Sequence, residues 1–90
     1  MRDDNFEWDD EKAARKVHVH DVSFDVAREA FVDPHFLEEE DPDPHEERYK
    51  RICIRESVLY VVIYTERSQR TRIISARKVN RHEQRLYFNR

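Results

Sequence analysis

Apolar side chains recur with the spacing of a helix in the first third of the chain. Residues 9–17 read DDEKAARKV, with acidic side chains first, basic ones later, and Ala13 and Val17 four residues apart. Acidic side chains suit the N-terminal end of a helix and basic ones its C-terminal end, so a first helix is predicted over residues 10–18. Just before it, Phe6 and Trp8 alternate with polar residues. That alternation indicates a brief extended segment whose rings anchor the helix to the core.

A second helix is predicted over residues 24–32, where apolar side chains again fall at helical spacing. Ser23 is a favourable N-cap for this segment, and Asp25 lies in its first turn. Pro34 disfavours the helical conformation at Asp33, so the helix is expected to end there. The apolar positions of this helix are Phe24, Ala27, Ala30 and Phe31.

The second half of the chain changes to short segments rich in β-branched and aromatic residues. These segments are residues 48–54, 58–65 and 70–79, separated by turns at 55–57 and 67–69. The pattern predicts a three-stranded antiparallel meander. The middle segment, VLYVVIYT, has apolar side chains at both odd and even positions. Such a strand is covered by helices on at least one face and partly on the other, so it is expected at the centre of the sheet.

The regions before and after these strands complete the predicted fold. The acidic, proline-containing stretch 37–47 predicts an exposed loop, entered by a short strand at 35–38. Asn80 is a suitable N-cap for a C-terminal helix over residues 81–88. The predicted fold class is α+β, with two N-terminal helices, an antiparallel sheet of three or four strands and a C-terminal helix, in one domain spanning residues 1–90.

Charge is divided unevenly along the chain, although the formal net charge is only -3. Residues 1–47 hold seventeen acidic and five basic side chains, whereas residues 67–90 hold eight basic side chains and one acidic one, a formal +7. The asymmetry suggests that the basic half meets a polyanion or an acidic partner while the acidic half screens it within the fold. An ordinary solvated surface is the alternative.

Two further features of composition limit the possibilities. The single cysteine, Cys53, excludes an intramolecular disulfide, and the chain has neither an apolar leader nor a long apolar run. We therefore expect a cytoplasmic protein without membrane contact. The chain contains no glycine, so its tight turns are expected to use Asn, Asp, Ser or Pro, or an unstrained geometry.

Four blocks of sequence, in order and covering nearly the whole chain, match a known pattern: FEWDDEKA (6–13), HDVSFDVAREAFVDP (20–34), YTER (64–67) and RIISARKVNRHEQRLY (72–87). The chain resembles the BrnT family of toxins. The resemblance implies a RelE-like fold and a ribonuclease toxin of a bacterial type II toxin–antitoxin system, which uses no cofactor and blocks translation and growth by cleaving RNA. It also implies a hetero-oligomer with a BrnA-like antitoxin. The ribbon-helix-helix region of that antitoxin would supply the only contact with operator DNA.

The chain departs from the family pattern at a few positions. Where the family usually reads Lys-His-Gly-Val-Ser-Phe, this chain has Val19, His20 and Asp21 before Val-Ser-Phe, and Cys53 replaces a further glycine. The loss of a cation at Val19 would weaken phosphate binding. Two other hypotheses therefore stay open. One is a catalytically weakened module that acts as antitoxin partner and co-repressor, and the other is a general basic domain that binds nucleic acids.

Cleaving RNA without a metal requires a group that takes the 2′-hydroxyl proton, a group that protonates the leaving 5′-oxygen, and cations around the phosphorane. We expect Arg67 and Arg77 to be the charge-stabilising pair, because the strand ends of one meander can converge on one edge of a sheet. The planar fork of arginine suits phosphate oxygens. The residues expected to complete the RNA-binding surface are Arg70, Arg72, Lys78 and Arg81.

The predicted proton-transfer groups are His20, Glu66 and Tyr87, with His82 and Glu83 as further candidates. Imidazole is the side chain that most often moves protons near neutral pH, which favours His20. Each candidate has a structural alternative. His20 could cap a helix, Glu66 could form a surface ion pair, and Tyr87 could belong to the core. Glu83 is interpreted as the partner of an arginine in a structural salt bridge.

Overall fold

A computed structural model describes the whole chain, residues 1–90, as three helices and five strands. The elements in chain order are β1 (Phe6–Glu7), α1 (Asp10–His20), α2 (Phe24–Phe31), β2 (Leu37–Glu40), β3 (Tyr49–Arg55), β4 (Val58–Arg67), β5 (Arg70–Lys78) and α3 (Arg81–Phe88). The strands form one sheet in the order β1-β5-β4-β3-β2, in which β1 runs parallel to β5 and all other neighbours are antiparallel. The predicted α+β class and the central position of β4 are confirmed.

The mixed, five-stranded sheet corrects the prediction of an antiparallel sheet with three or four strands. The unexpected strand is β1, which lies before both N-terminal helices in the segment predicted only as briefly extended. Asp3 Oδ1 accepts hydrogen bonds from the backbone N–H groups of Asn5 and Phe6 at 2.9 and 2.7 Å. The N–H of Thr71 donates to the carbonyl of Asn5 at 2.9 Å. The alternation of Phe6 and Trp8 indicated an extended segment, but a segment this short does not reveal that it pairs with β5.

Strand β2 lies later than the predicted strand at 35–38, and it takes acidic residues that the sequence assigned to a loop. Glu38 and Glu39 lie opposite Arg51 and Lys50 of β3. Arg51 Nε is 2.8 Å from a carboxylate oxygen of Glu38, and Lys50 Nζ is 3.5 Å from one of Glu39. Opposite charges on paired strands compensate for the low strand propensity of glutamate. Local pattern could not reveal this because the basic partners lie in a later segment.

Helices cover both faces of the sheet. On one face, the α2 face, Phe24 and Ala27 are buried in the larger core cluster together with Val62 of β4. On the other face, the α3 face, Tyr87 packs in a smaller cluster with Val61. Successive strand side chains point to opposite faces, which explains why β4 is apolar at every position of its centre. Helix α1 lies against β5, and none of the three helices is long and apolar enough to cross a membrane.

The predicted helix caps are confirmed. Ser23 Oγ accepts a hydrogen bond from the N–H of Val26 at 3.1 Å. Asn80 Oδ1 accepts from the N–H of Glu83, and Glu83 Oε1 accepts from the N–H of Asn80, both at 2.9 Å. This reciprocal pair is a capping box, which satisfies two backbone donors at the start of α3. Helix α1 extends to His20, two residues beyond its predicted end.

The two tight hairpin turns place non-glycine residues in the left-handed region. Glu56 and Ser57, with φ of 49° and 67°, join β3 to β4, and Ser68 and Gln69, with φ of 51° and 66°, join β4 to β5. A two-residue hairpin turn with both φ values positive is type I′, in which glycine is favoured at the second position. The left-handed conformation costs an ordinary residue about 1–2 kcal/mol. The expected use of serine is confirmed at Ser57 and Ser68, but Glu56 and Gln69 are not among the expected residue types, and the turns are not unstrained.

We expect Ser57→Gly and Gln69→Gly each to raise the free energy of unfolding by about 1 kcal/mol, because glycine has no Cβ to clash at positive φ. Urea denaturation of each variant and the wild type at neutral pH measures the change. Ser75→Gly in β5 is the control of opposite sign, since glycine weakens the interior of a strand. Turn variants no more stable than the wild type would contradict the prediction.

Candidate nucleic-acid interface

The two arginines predicted to form one pair lie at opposite ends of the β4–β5 hairpin. Arg67 pairs with Arg70 next to the turn, whereas Arg77 pairs with Val61 of β4. Six residues of β4 separate these levels, which corresponds to roughly 20 Å at about 3.3 Å per residue. The predicted convergence of Arg67 and Arg77 is therefore wrong. In an antiparallel hairpin only residues equally distant from the turn meet, and these two are not.

Three of the basic residues near the turn are engaged with the N-terminal half of the chain. Arg72 Nη1 lies 2.7 Å from Glu7 Oε2. Arg70 Nε donates to the backbone carbonyl of Asp3 at 2.7 Å. Arg67 Nη2 lies 3.6 Å from a carboxylate oxygen of Glu46 and is half exposed. The structure thus gives Arg70 and Arg72, two predicted RNA-binding residues, the task of holding the N-terminal segment against β5.

Two predicted proton-transfer residues, Glu66 and His20, lie apart from the basic residues of β5 and α3. Glu66 is exposed near the turn and lines a depression of about 350 Å³ with Glu46, Glu47 and Arg67. Three carboxylates around one arginine make that depression unfavourable for a phosphate. His20 is partly exposed at the end of α1, and its imidazole makes no hydrogen bond or ion pair.

Glu83 is the buried acceptor of a four-donor cluster on the α3 face. Its side chain is 2% exposed, and Arg77 donates to its two oxygens from Nη1 and Nη2, both at 2.8 Å. Lys50 Nζ lies 2.7 Å from Oε2, and the N–H of Asn80 donates to Oε1 at 2.9 Å. The hydrogen bonds from Arg77, followed by those from Lys50 and Asn80, lower the pKa of Glu83 to about 2 against the opposing effect of burial. The interpretation of Glu83 as a salt-bridge partner is confirmed.

Tyr87 makes a second contact between α3 and the rest of the fold. Its hydroxyl donates to Asp33 Oδ2 at 2.6 Å, and Asp33 also accepts from the N–H groups of Ile54 and His35 at 2.9 and 2.8 Å. Burial, with the Asp33 hydrogen bond next, raises the pKa of Tyr87 to about 12. A buried hydroxyl already donated to a carboxylate is poorly placed to give a proton to substrate, so the geometry supports the structural alternative for Tyr87.

Three further cations of the tail are exposed and have no hydrogen bond or ion pair to a carboxylate, and the fourth, Arg90, is described below with the groove that it lines. The three are Lys78 at the end of β5, and Arg81 and Arg85 on α3. Arg81, Arg85 and Phe88 are spaced i, i+4, i+7, so they share one outward face of the helix, which we call the α3 stripe. Arg85 was missed as a site residue, although its spacing from Arg81 was visible in the sequence.

A groove beside the α3 stripe brings an imidazole next to two guanidinium groups. It has a volume of about 510 Å³ and is lined by Leu37, His82, Arg85, Leu86, Asn89 and Arg90, and we call it the His82 groove. Arg90 is held there because it donates to the carbonyls of His35 and Phe36 and lies 4.5 Å above the ring of Tyr87. Arg90 was also missed, since only tertiary contacts order this last residue.

Charge distinguishes this surface from the other basic helix. In α1, the basic side chains Lys12, Arg15 and Lys16 are matched in number by acidic residues at positions 9–11. Residues 77–90, by contrast, hold five basic side chains and one acidic one, and that acid is the buried Glu83. The α3 surface therefore keeps a net positive potential that can attract a polyanion. No group of three or more His, Cys, Asp or Glu side chains is arranged to hold a metal ion.

The pKa of Glu83 makes stability depend on pH. Its folded pKa is about 2 and its ordinary value is 4.5, so the unfolded chain binds the proton more readily and stabilisation is lost as pH falls from about 4.5 towards 2. Between pH 5 and pH 2.5 we expect the free energy of unfolding of the wild type to fall by about 2–3 kcal/mol through protonation of Glu83. Glu83→Gln should be less stable than the wild type at pH 5, but it lacks this contribution to the pH dependence. Urea denaturation at both pH values measures this difference, and equal pH dependence of the two chains would refute it.

Comparison with protein families gives a match over most of the chain. Residues 8–83 match the model of the BrnT toxin family, described as the ribonuclease toxin, BrnT, of type II toxin–antitoxin systems. The matched range begins directly after β1 and contains both N-terminal helices, strands β2 to β5 and the start of α3. A comparison with curated proteins found no matching relative. Because the match covers far more than half of its residues, the chain belongs to the BrnT family of ribonuclease toxins.

Proposed function

We propose that this chain is an endoribonuclease toxin that binds RNA on the α3 stripe and cleaves it at the His82 groove. The observation that supports the proposal is the exposed imidazole of His82, which shares a groove with Arg85 and Arg90 on the net-positive part of the surface. Membership of a ribonuclease toxin family supplies the substrate class. The cleavage uses acid–base chemistry without a metal, and its consequence in the cell is inhibited translation and growth arrest.

Binding of RNA on this surface follows from the available cations. Lys78, Arg81 and Arg85 are not paired with a carboxylate of the protein. Phosphate oxygens of RNA can therefore bind them by replacing only water and counterions. Arg77 is also charged, and its hydrogen bonds to Glu83 raise its pKa. The same hydrogen bonds hold its guanidinium group against Glu83. We therefore propose Arg77 as a residue that positions α3 and not as the principal phosphate ligand.

The chemistry proposed for the groove is transesterification. His82 accepts the proton of a ribose 2′-hydroxyl, the 2′-oxygen attacks the adjacent phosphorus, and the bond from phosphorus to the 5′-oxygen breaks. The leaving 5′-oxygen takes its proton from a solvent water molecule, and His82 later releases its proton to solvent. Arg85 and Arg90 stabilise the negative charge that develops on the phosphorane oxygens. The products are a 2′,3′-cyclic phosphate and a 5′-hydroxyl end. His82 replaces His20 and Glu66 in this proposal because neither lines the His82 groove.

The partner proposed for the chain is a protein. Toxins of type II systems are neutralised by a protein antitoxin, and here we propose a BrnA-like antitoxin that forms a hetero-oligomer with the toxin and covers the α3 surface or an adjacent groove. Its ribbon-helix-helix region would bind operator DNA for the complex. A RelE-like relationship of the whole single domain belongs to the same proposal.

A second candidate function, a weakened toxin that serves as antitoxin partner and co-repressor, rests on Val19 and Asp21. Val19 is 70% exposed on α1, and Asp21 is the C-cap of α1 in the left-handed conformation, with φ of 56°. Glycine is the usual residue at such a cap. The glycine of the family pattern is therefore explained by helix termination, and its replacement by Asp21 is expected to lower the stability of the fold without affecting catalysis. This candidate predicts no growth arrest when the chain is produced without antitoxin.

The catalytic proposal is tested with purified chain, freed from its antitoxin and incubated with RNA in the presence of EDTA. We expect cleavage to 2′,3′-cyclic phosphate ends, and His82→Ala to slow it about 100-fold or more, the usual effect of removing a proton-transfer group. His18→Ala, which alters an exposed histidine of α1, is the matched control and should retain the wild-type rate. His20→Ala is measured alongside. If His82→Ala cleaves normally and His20→Ala does not, the proton transfer belongs to His20.

The stability explanation of Asp21 has its own test. We expect Asp21→Gly to raise the free energy of unfolding by about 1 kcal/mol, because glycine relieves the left-handed strain and removes an acidic side chain from the negative end of a helix. The rate of RNA cleavage should not change. Thermal or urea denaturation together with the cleavage assay distinguishes the two hypotheses. A large gain in cleavage without a gain in stability would favour the weakened-toxin candidate.

A further inference from the structure

Phe88 is a large aromatic side chain left in solvent at the end of a strongly charged helix. Its side chain is 58% exposed. It borders a second groove, on the opposite flank of the α3 stripe from the His82 groove, with a volume of about 280 Å³. This Phe88 groove has an apolar floor that includes Val58 and Val79, and its polar lining residues include Lys78 and Gln84.

The charges around this groove select a polyanionic occupant. Lys78 lies in its wall without a carboxylate partner, and Arg81 and Arg85 precede Phe88 along the α3 stripe. Two acidic residues adjoin the lining residues in sequence. Glu83 is buried and already accepts hydrogen bonds from Arg77, Lys50 and Asn80. Glu56, next to the lining residue Ser57, is paired with Arg55 at 3.2 Å. An apolar floor beside three unneutralised cations suits a ligand with flat apolar rings on a phosphate backbone, and it is poorly suited to a purely apolar partner.

We propose that the Phe88 groove binds one unpaired nucleobase of single-stranded RNA. The ring of Phe88 stacks on the base, the Gln84 amide can both donate to and accept from a base edge, and Lys78 contacts the neighbouring phosphate. A volume of about 280 Å³ lies just below the range for pockets that hold drug-sized ligands, which suits a single base. Double-stranded RNA is excluded, because its bases are stacked and paired inside the helix.

This inference rests on the proposed function, since it names the form of RNA that the same surface prefers. It goes beyond that function by separating binding from cleavage. The His82 groove lies on one flank of α3 and the Phe88 groove on the other, and the arginines of the α3 stripe lie between them. A strand whose backbone crosses the stripe can therefore place one nucleotide in each groove.

The test uses a fluorescein-labelled 2′-O-methyl oligoribonucleotide, which lacks the 2′-hydroxyl nucleophile and so cannot be cleaved. Fluorescence anisotropy gives its affinity for the purified chain, free as a single strand and annealed to its complement. We expect the single strand to bind more tightly. Phe88→Ala should weaken single-strand binding about 10-fold without changing its salt dependence, because stacking is lost and no charge is removed. Phe88→Tyr should retain it.

Two further variants complete the design. Lys78→Ala should reduce the slope of log affinity against log salt by about one, as expected for a lost phosphate contact. Val32→Ala, which truncates an apolar side chain that is 71% exposed outside the groove, should bind as the wild type does. A thermal melt of each variant confirms the fold, and the exposure of Phe88 makes loss of folding in Phe88→Ala unexpected.

Several results would overturn the inference. If Phe88→Ala binds the single strand with wild-type affinity, the proposed stacking contact is wrong. If single and double strands bind with equal affinity, the proposed binding of an unpaired base is wrong. If Phe88→Ala instead weakens antitoxin binding while RNA binding is retained, the groove is a protein-contact surface. None of these outcomes contradicts the proposal that His82 cleaves RNA. A wild-type chain that neither binds nor cleaves RNA would instead refute the proposed function itself.

Discussion

The position of α3 depends on one buried carboxylate. Glu83 joins three parts of the fold through Arg77 of β5, Lys50 of β3 and the backbone N–H of Asn80. Burying its charge costs several kcal/mol, which charge-assisted hydrogen bonds from well-placed donors can offset. Because the donors come from two strands and from the helix cap, the carboxylate fixes both the place and the rotation of the helix. An apolar residue at this position would give burial without that directional constraint.

The rotation of α3 decides which of its side chains face solvent. Only Glu83 and Tyr87 are buried in this helix, so the hydrophobic effect alone provides little to hold it. The hydrogen bond from Tyr87 to Asp33 fixes the end of the helix opposite to the Glu83 cluster. With both contacts on one side, Arg81, Arg85 and Phe88 necessarily face outward. The proposed RNA surface is therefore a geometric consequence of two buried carboxylates that take no part in the proposed chemistry.

Much of the fold could be predicted from local sequence signals. Capping residues such as Ser23 and Asn80, and the two-faced apolar pattern of β4, identified helices and the central strand correctly. The segment of β1 was predicted as extended but without a place in the sheet, and the acidic strand β2 was placed two residues too early, because both are stabilised by partners distant in sequence. The site was harder still. Pattern could show that Arg67 and Arg77 lie on neighbouring strands, but their level along the hairpin depends on the register that the turn imposes.

The uneven charge of the sequence has a tertiary explanation. Several acidic residues of the N-terminal half form ion pairs within the fold. Glu7 pairs with Arg72, Glu38 with Arg51 and Glu46 with Arg67. Few acidic residues are left over at the end of β5 and on α3, and the one in that segment, Glu83, is buried. The acidic half thus pairs with two of the eight cations of the tail, Arg67 and Arg72, which is only part of the screening that the composition suggested. It does not pair with the cations of α3. Net charge is a poor guide to the proposed RNA-binding surface, because that surface consists of cations left unpaired after folding.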